Sequence, residues 1–416
     1  MAIIRPFKAI RPKESLVDKV ASLPYDVMNT KEAREIVNSN MYSFLRIDKA
    51  EVELDKNIHE YDEEVYVKAR ENLKQFIENN ILIRESKECL YIYREIMDSR
   101  PQVGIVACVS VDDTMNNIIK KHEYTKPDKE LDRTNYIKYC NANTGTILLT
   151  YKNKEEIDTF ISKYINVNES IYDFMTDDKI QHTVWRISED DDIEYLVSRF
   201  KMIDYLYIAD GHHRSAAAVN IAKKLRKENP NYIGDEEFNY YLAMIAPAEN
   251  LLVLDYNRVV RDLNNLTEEE LIRKISERFK ISKMDGKEEY RPSREGIFGM
   301  YLNNQWYEVE INNDVKNNID PVKTLDISIL QEYILSPILG IDNPRIDKRI
   351  DFVGGIRGIK ELERRTNEDM KIAFAMYPTS MEDLIKVANE GRIMPAKSTW
   401  FEPKVRCGLF IHELDI

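Results

Sequence analysis

The run Tyr205-Leu206-Tyr207-Ile208-Ala209 is apolar, rich in β-formers and only five residues long; it stops at Asp210-Gly211 and gives way to a helix-forming segment at about 212–227. So short an apolar run reads as a buried strand. The helix after it carries Ala216, Ala217, Ala218, Ile221 and Ala222, which keep it slim enough to pack closely on a sheet. The surrounding sequence repeats the alternation: 146–151 reads as strand, 154–164 as helix, 182–187 as strand and 189–201 as helix, an α+β or α/β pattern. A further strand at 251–254 is expected beside the Tyr205 strand.

The flanks carry their own signals. The chain starts extended, turns at Leu23-Pro24-Tyr25-Asp26-Val27 and enters a helix at Asn29, which has Glu32 three residues on as the reciprocal partner of a capping box. Ile58, Tyr61, Val65, Ala69, Leu73, Phe76 and Ile77 recur at helical spacing and predict a long amphipathic helix over 56–80, stopped by Asn79-Asn80. Two β-rich runs, 89–97 and 103–111, flank Asp98-Ser99-Arg100-Pro101-Gln102 and predict a hairpin. Beyond Val260 the pattern predicts helices at 268–279, 326–334 and 381–390, strands at 299–301, 306–311 and 408–412, and a polar loop over 312–318. At 416 residues the chain is too long for one core. Three regions are expected: 1–100, a central domain 101–260, and 261–416.

Composition narrows the function classes. Hydrophobic residues make up 43% and charged residues 32%, and no apolar run approaches the roughly 20 residues needed to span a bilayer, so a soluble protein without a membrane partner is expected. Met1-Ala2-Ile3-Ile4-Arg5-Pro6-Phe7 lacks the pattern of a secretory signal, and Cys89, Cys108, Cys140 and Cys407 are scattered without paired spacing. Both point to the cytoplasm. The formal net charge of -13 repels a polyanion, which argues against nucleic acid while leaving room for a small phosphorylated ligand held by local groups.

Chemistry concentrates at Asp210-Gly211-His212-His213-Arg214. A strand that ends at glycine and restarts as a helix leaves backbone N–H groups able to converge on an anion, and Gly211 lets the backbone approach it. Arg214 adds a planar fork suited to phosphate oxygens, and His212 and His213 add hydrogen-bond donors. The plainer alternative is an aspartate that caps a helix beside two near-surface histidines. A second cluster is Lys121-His122-Glu123-Tyr124-Thr125 with Lys129, Asp132 and Arg133: Glu123 is a candidate general base, and Lys129 and Arg133 are candidate phosphate or carboxylate binders, against a plain reading as a solvated charged loop. Pro24-Tyr25-Asp26-Val27 puts an acid and a phenol on a rigid turn, and Met394-Pro395-Ala396-Lys397-Ser398-Thr399-Trp400-Phe401 puts a cation beside two hydroxyls.

These motifs together carry a resemblance. His122-Glu123, then Asp210-Gly211-His212-His213-Arg214 and its alanine-rich helix, resemble the ParB/sulfiredoxin-like nucleotide-binding fold as the free-serine kinases use it. The Pro24–Val27 turn, His122-Glu123-x-Thr125 with Asp132-Arg133, and the ending Met394–Thr399 with Pro403-Lys404 and Gly408 resemble a larger bacterial and archaeal family related to those kinases, and the match runs along nearly the whole chain. The resemblance implies an α+β enzyme with a central ParB/sulfiredoxin-like domain that transfers a phosphoryl group from ADP or ATP, with Mg2+, to free L-serine. It implies Glu123 as base near the acceptor, with His122 beside it, and Asp210 to Arg214 as the phosphate-holding turn, Asp210 also being a candidate for Mg2+. Asp26, Lys129, Arg133, Lys397, Ser398 and Thr399 are then candidate acceptor-binding residues. One departure stands out: Leu254-Asp255-Tyr256-Asn257-Arg258 lacks the proline and histidine expected before the arginine.

Two rival readings have their own sequence tests. A ParB-like nucleotide-gated, DNA-associated protein without kinase activity would need a basic patch to overcome the -13 charge. Metal-dependent hydrolysis through His122, His182, His212 and His213 ranks last, since no HExxH-type spacing supports it.

Overall fold

The computed structural model describes residues 1–284, 286, 289–312, 315 and 320–414. Contacts divide the chain into two compact units, Met1–Lys121 with Thr125–Leu251 and Pro403–Ile416, and His122–Tyr124 with Leu252–Glu402. The architecture is mixed α+β, each unit having its own sheet.

In the first unit the strand order is Ile119–Lys120, Leu206–Asp210, Ile147–Tyr151, Tyr240–Pro247, Arg100–Ser110, Leu90–Met97, Gln181–Ile187 and Tyr172–Met175, with Ile4–Arg5 also paired to Arg100–Ser110. Leu206–Asp210 runs parallel to Ile119–Lys120 and antiparallel to Ile147–Tyr151, which in turn is parallel to Tyr240–Pro247. The helix His212–Glu228 packs over this end of the sheet and beside the helix Pro127–Cys140. Its Ala217, Ala218, Ile221 and Ala222 share a core with Ile147, Leu149, Ala243 and Ile245. Alanines on that face bring the two backbones together, as their small volume predicts.

A second core in this unit joins Phe44, Ile47, Val65, Leu73 and Phe76 to Tyr136, Cys140, Cys407 and Ile411. The N-terminal segment therefore has no core of its own. Leu90–Met97 pairs with Arg100–Ser110 across the boundary expected at 100, and His412–Glu413 returns to pair with Ala142–Asn143. The expected division at 260 also differs from the observed one, because Tyr256–Val260 belongs to the second unit. That unit's sheet runs Phe279–Lys283, Gln305–Ile311, Ile297–Leu302, Ile372–Ala375, Tyr256–Val260 and Ile350–Gly354, antiparallel throughout.

Local expectations fared according to how local their causes were. Asn29 and Glu32 form the reciprocal capping box at the start of Thr30–Ser39. The helix expected over 56–80 starts only at Glu63, because His59 N–H bonds Asp62 Oδ2 at 2.8 Å and Asp62 is extended, which holds the preceding residues in turns. The hairpin connection is tighter than the five residues expected: Asp98 and Ser99, with φ of 49° and 66°, make the turn and Arg100 already pairs with Met97. Leu252–Leu254 does not lie beside Leu206–Asp210 but pairs with Trp400–Glu402. The strand expected over 408–412 shrinks to His412–Glu413, since Gly408 sits at φ 83° with Phe44 filling the space a Cβ would take. Among the elements with no counterpart in the sequence reading are the helix Pro127–Cys140, opened by proline with Asp128 and Glu130 in its first turn, and the strands Tyr172–Met175, Tyr240–Pro247, Ile350–Gly354 and Ile372–Ala375. The polar loop expected over 312–318 lies outside the described residues except for Asn312 and Val315. No helix among the described residues is long and apolar enough to cross a membrane.

Candidate functional site

The strand Leu206–Asp210 changes register against Ile147–Tyr151 between Ile208 and Asp210. Such an irregularity bends the strand end and redirects its last side chain. Asp210 Oδ1 accepts from Gly211 N–H at 2.8 Å, and Oδ2 pairs with Lys404 Nζ at 2.8 Å. Burial pushes the Asp210 carboxyl up, but Lys404, then Arg214 and His212, pull it down further, to about 2. Gly211 follows at φ 94°, a left-handed conformation, and a Cβ there would lie 3.3 Å from Ile147 Cγ1. No side chain caps the helix that starts at His212. The first N–H groups of a helix have no acceptor one turn earlier and sit at the positive end of its dipole, so this start is suited to an anion.

The two histidines have different surroundings. Burial lowers the His212 pKa to about 4, with Asp210 opposing, so the ring is neutral at neutral pH. His213 Nε2 accepts from Lys126 N–H at 3.0 Å, which in the neutral ring leaves the proton on Nδ1 as a donor. Arg214 departs from expectation. Its fork turns inward, 13% exposed, donating to Thr146 O at 3.2 Å, to Cys407 Sγ at 3.2 Å and to Asp48 Oδ2 at 3.4 Å. Burial lowers its pKa while Cys407, Asp48 and Asp26 raise it, and the net shift is upward, so it stays cationic. Gly145 makes room for it: a Cβ there would stand 2.6 Å from Arg214 Cζ.

Asp48 links Arg214 to a second arginine. It is buried at the end of Leu45–Asp48, and its Oδ1 lies 3.6 Å from Arg133 Nη1. Arg133, expected in a charged loop, is instead buried on the helix Pro127–Cys140, held by Asp132 at 2.7 Å and packed between the rings of Tyr25 at 3.8 Å and Tyr136 at 3.9 Å. The Tyr25 ring also lies 5.4 Å from Arg214. Beside these groups opens a cavity of about 220 Å³ whose lining includes Tyr25, Asp26, Asp48, Lys129, Asp132 and Arg133. Asp26 of the Pro24–Val27 turn and Lys129 and Arg133 of the second cluster thus share one cavity.

The remaining candidates belong to the second unit. His122 Nε2 lies 3.3 Å from Thr399 Oγ1, and His122 O accepts from Met394 N–H at 2.8 Å. Lys397 has φ 59°, its ammonium sits 5.4 Å from the Tyr256 ring centroid, and its carbonyl accepts from Arg258 at 2.9 Å. Ser398 Oγ donates to Pro395 O at 2.6 Å. His122, Lys397, Ser398 and Thr399 therefore gather in one unit, with Glu123 next in sequence, half-buried.

Metal ligation finds less support. His182 is buried in the first unit, with Nδ1 bonded to Tyr93 OH at 2.7 Å and Nε2 to Thr176 Oγ1 at 3.1 Å, and burial, then Arg406, lower its pKa to about 3. Both ring nitrogens are thus engaged within the fold, which removes it from the four-histidine hydrolase reading. Among the described residues no group of three or more His, Cys, Asp or Glu side chains is placed to hold a metal ion. Asp210 already pairs with Lys404 at Oδ2 and accepts from Gly211 N–H at Oδ1, so a Mg2+ ion there would share the carboxylate with both.

Lys404, Asp48 and Gly145 are the residues that sequence reasoning missed as site residues. Lys404 had a signal, its place in the Pro403-Lys404 motif; the other two had none. Replacing Lys404 by methionine should move the Asp210 titration from about 2 to the ordinary carboxylate value of about 4 or above, read by carboxyl carbon NMR; an unmoved titration contradicts the pairing.

The fold and site together define a mixed α+β protein with an uncapped, glycine-started helix at the end of a sheet strand. Residues 4–328 match the family described as Protein of unknown function (DUF1015), and the chain belongs to that family. No curated protein matches the chain significantly. Among solved structures, the chain is similar to a free serine kinase in complex with AMP, at 12% identity and TM-score 0.36 over 73% of this chain and 91% of that one. It is also similar to SbnI with C-terminal truncation from Staphylococcus aureus (11%, 0.38, 73% and 85%) and to a conserved hypothetical protein from Pyrococcus furiosus (13%, 0.34, 73% and 95%).

Proposed function

We propose that the chain is a nucleotide-dependent small-molecule kinase that transfers a phosphoryl group from ADP or ATP to the hydroxyl of free L-serine, giving O-phosphoserine. The observation that carries the reading is the Gly211 helix start, where a left-handed glycine, an uncapped helix and the Asp210–Lys404 pair meet. The motif resemblance supports it, and with it a ParB/sulfiredoxin-like character for 101–260.

Phosphoryl transfer proceeds through a loose transition state, so the protein mainly aligns the donor and acceptor and balances charge. In this reading the first turn of His212–Glu228 and His213 Nδ1–H hold the terminal phosphates, with Arg214 and Lys404 balancing their charge. The serine hydroxyl oxygen bonds to the terminal phosphorus as the bond to the nucleotide's bridging oxygen breaks. Glu123 takes the hydroxyl proton, with His122 beside it; the departing nucleotide carries the bridging oxygen's electron pair. Mg2+ carried on the nucleotide phosphates would add to this charge balance, and no protein ligand is assigned to it.

Phosphorus NMR with ADP or ATP, each with and without L-serine, tests the reading. A serine-dependent O-phosphoserine signal is expected, and nucleotide bound without serine-dependent turnover would overturn it. Glu123→Gln should slow transfer by about 10²–10⁴-fold, and a full rate in that variant would remove the base.

A further inference from the structure

The cavity beneath Tyr25 has a chemistry that follows from which of its charges are already spent. Its lining includes five carboxylates, Asp26, Asp48, Glu51, Glu60 and Asp132, and three cations, Lys49, Lys129 and Arg133. Lys49 pairs with Glu51 at 3.1 Å, and Arg133 is held by Asp132 and Asp48. Among the described residues the Asp26 and Glu60 carboxylates and the Lys129 ammonium enter no ion pair. Arg133, Asp132 and Asp48 are buried, whereas Asp26 and Glu60 are exposed. The uncompensated field in the cavity is negative: after burial, Glu60 is the next cause that pushes the Tyr61 phenol up, to about 12, and it also raises the Asp132 carboxyl.

Size narrows the ligand further. At about 220 Å³ and lined almost wholly by polar and charged side chains, the cavity suits a small polar ligand. A ligand that leaves two carboxylates and one ammonium satisfied carries an amine and a smaller anionic or hydroxyl group.

We infer that this cavity binds a small zwitterion of the amino-acid class, its ammonium held by Asp26 and Glu60 and its carboxylate by Lys129 above the Arg133 floor. As the acceptor site it rests on the kinase reading; as a binding site it does not. Asp48, paired with both Arg133 and Arg214, gives the cavity a shared counter-ion with the Gly211 turn. Occupying the cavity therefore alters the charge balance around the cation behind the turn.

Isothermal titration of the full chain without nucleotide tests the inference. L-serine, L-alanine and glycine should bind, while L-lactate, which lacks the amine, and ethanolamine, which lacks the carboxylate, should bind at least about tenfold more weakly. Asp26→Asn with Glu60→Gln should weaken L-alanine at least about tenfold, with an unchanged melting temperature establishing that the fold is intact. Lys129→Met should equalise L-alanine and ethanolamine. Lactate binding as tightly as L-alanine, or no amino acid binding below about 10 mM, overturns the site. Serine bound through Asp26 and Glu60 but never phosphorylated would defeat the kinase reading alone; serine phosphorylated with a KM indifferent to both substitutions would defeat the cavity alone.

Discussion

An Arg214→Met protein should unfold its first unit with about 3 kcal/mol less stability and bind ADP about tenfold more weakly. The larger effect is on stability because the Arg214 fork is spent inside the protein. Asp48 is 1% exposed, and with Arg214 gone its remaining partners include Arg133 at 3.6 Å and the Thr144 hydroxyl at 3.4 Å. A buried carboxylate stripped of one partner retains its desolvation cost while losing the attraction that offsets it. Arg214→Lys separates the two effects: it restores charge near the helix start, so nucleotide affinity should partly return, but a single ammonium cannot reach Thr146 O and Asp48 together as the fork does, so stability should not. Gly145→Ala approaches from the other side, keeping the arginine and obstructing its seat. Urea titration of the three variants, followed by Trp185 fluorescence, with calorimetric ADP binding alongside, reads both quantities. Wild-type stability in Arg214→Met would dismiss the inward-facing role.

Acidification from pH 7 to pH 5 should cost the first unit about 4 kcal/mol, about 2 from each of His212 and His182. Burial is the leading cause of both depressed values, about 4 and about 3, against an unfolded value of about 6.5. The sign follows from proton counting. Below pH 6.5 the unfolded chain binds a proton at each ring that the folded chain refuses, so stability is full above 6.5 and is lost as pH falls toward the folded values. His212→Asn should remove about half of this slope, and urea midpoints at pH 7 and pH 5 for the two proteins measure it. Equal slopes would mean that His212 titrates normally in the folded chain.

How much of this was legible in the sequence depends on the range over which each cause acts. The Asn29–Glu32 capping box, the turn at Gly211 and the alanine face of His212–Glu228 are decided within one or two turns of chain, and all three follow from the residues themselves. The helix Pro127–Cys140 was legible in principle, through Pro127 and the acids of its first turn, but its dense charge reads as a solvated loop. What hides the helix is that Asp132 and Arg133 neutralise one another, which allows two charged residues to be buried side by side. Tyr240–Pro247 is apolar nearly throughout, and only its place between Ile147–Tyr151 and Arg100–Ser110 explains that composition.

For the candidate site the same distinction holds. The sequence by itself determined where the chain must turn, which residue must be glycine there, and which side chains near that turn carry charge, because backbone sterics and residue type are local properties. Tertiary structure alone decided that Arg214 faces inward to Asp48, that Lys404 neutralises Asp210 from 194 positions away, and that Asp26, Lys129 and Arg133 border one cavity. The physical reason is that electrostatic partners and cavity walls are set by distance through space, and spacing along the chain carries no record of it.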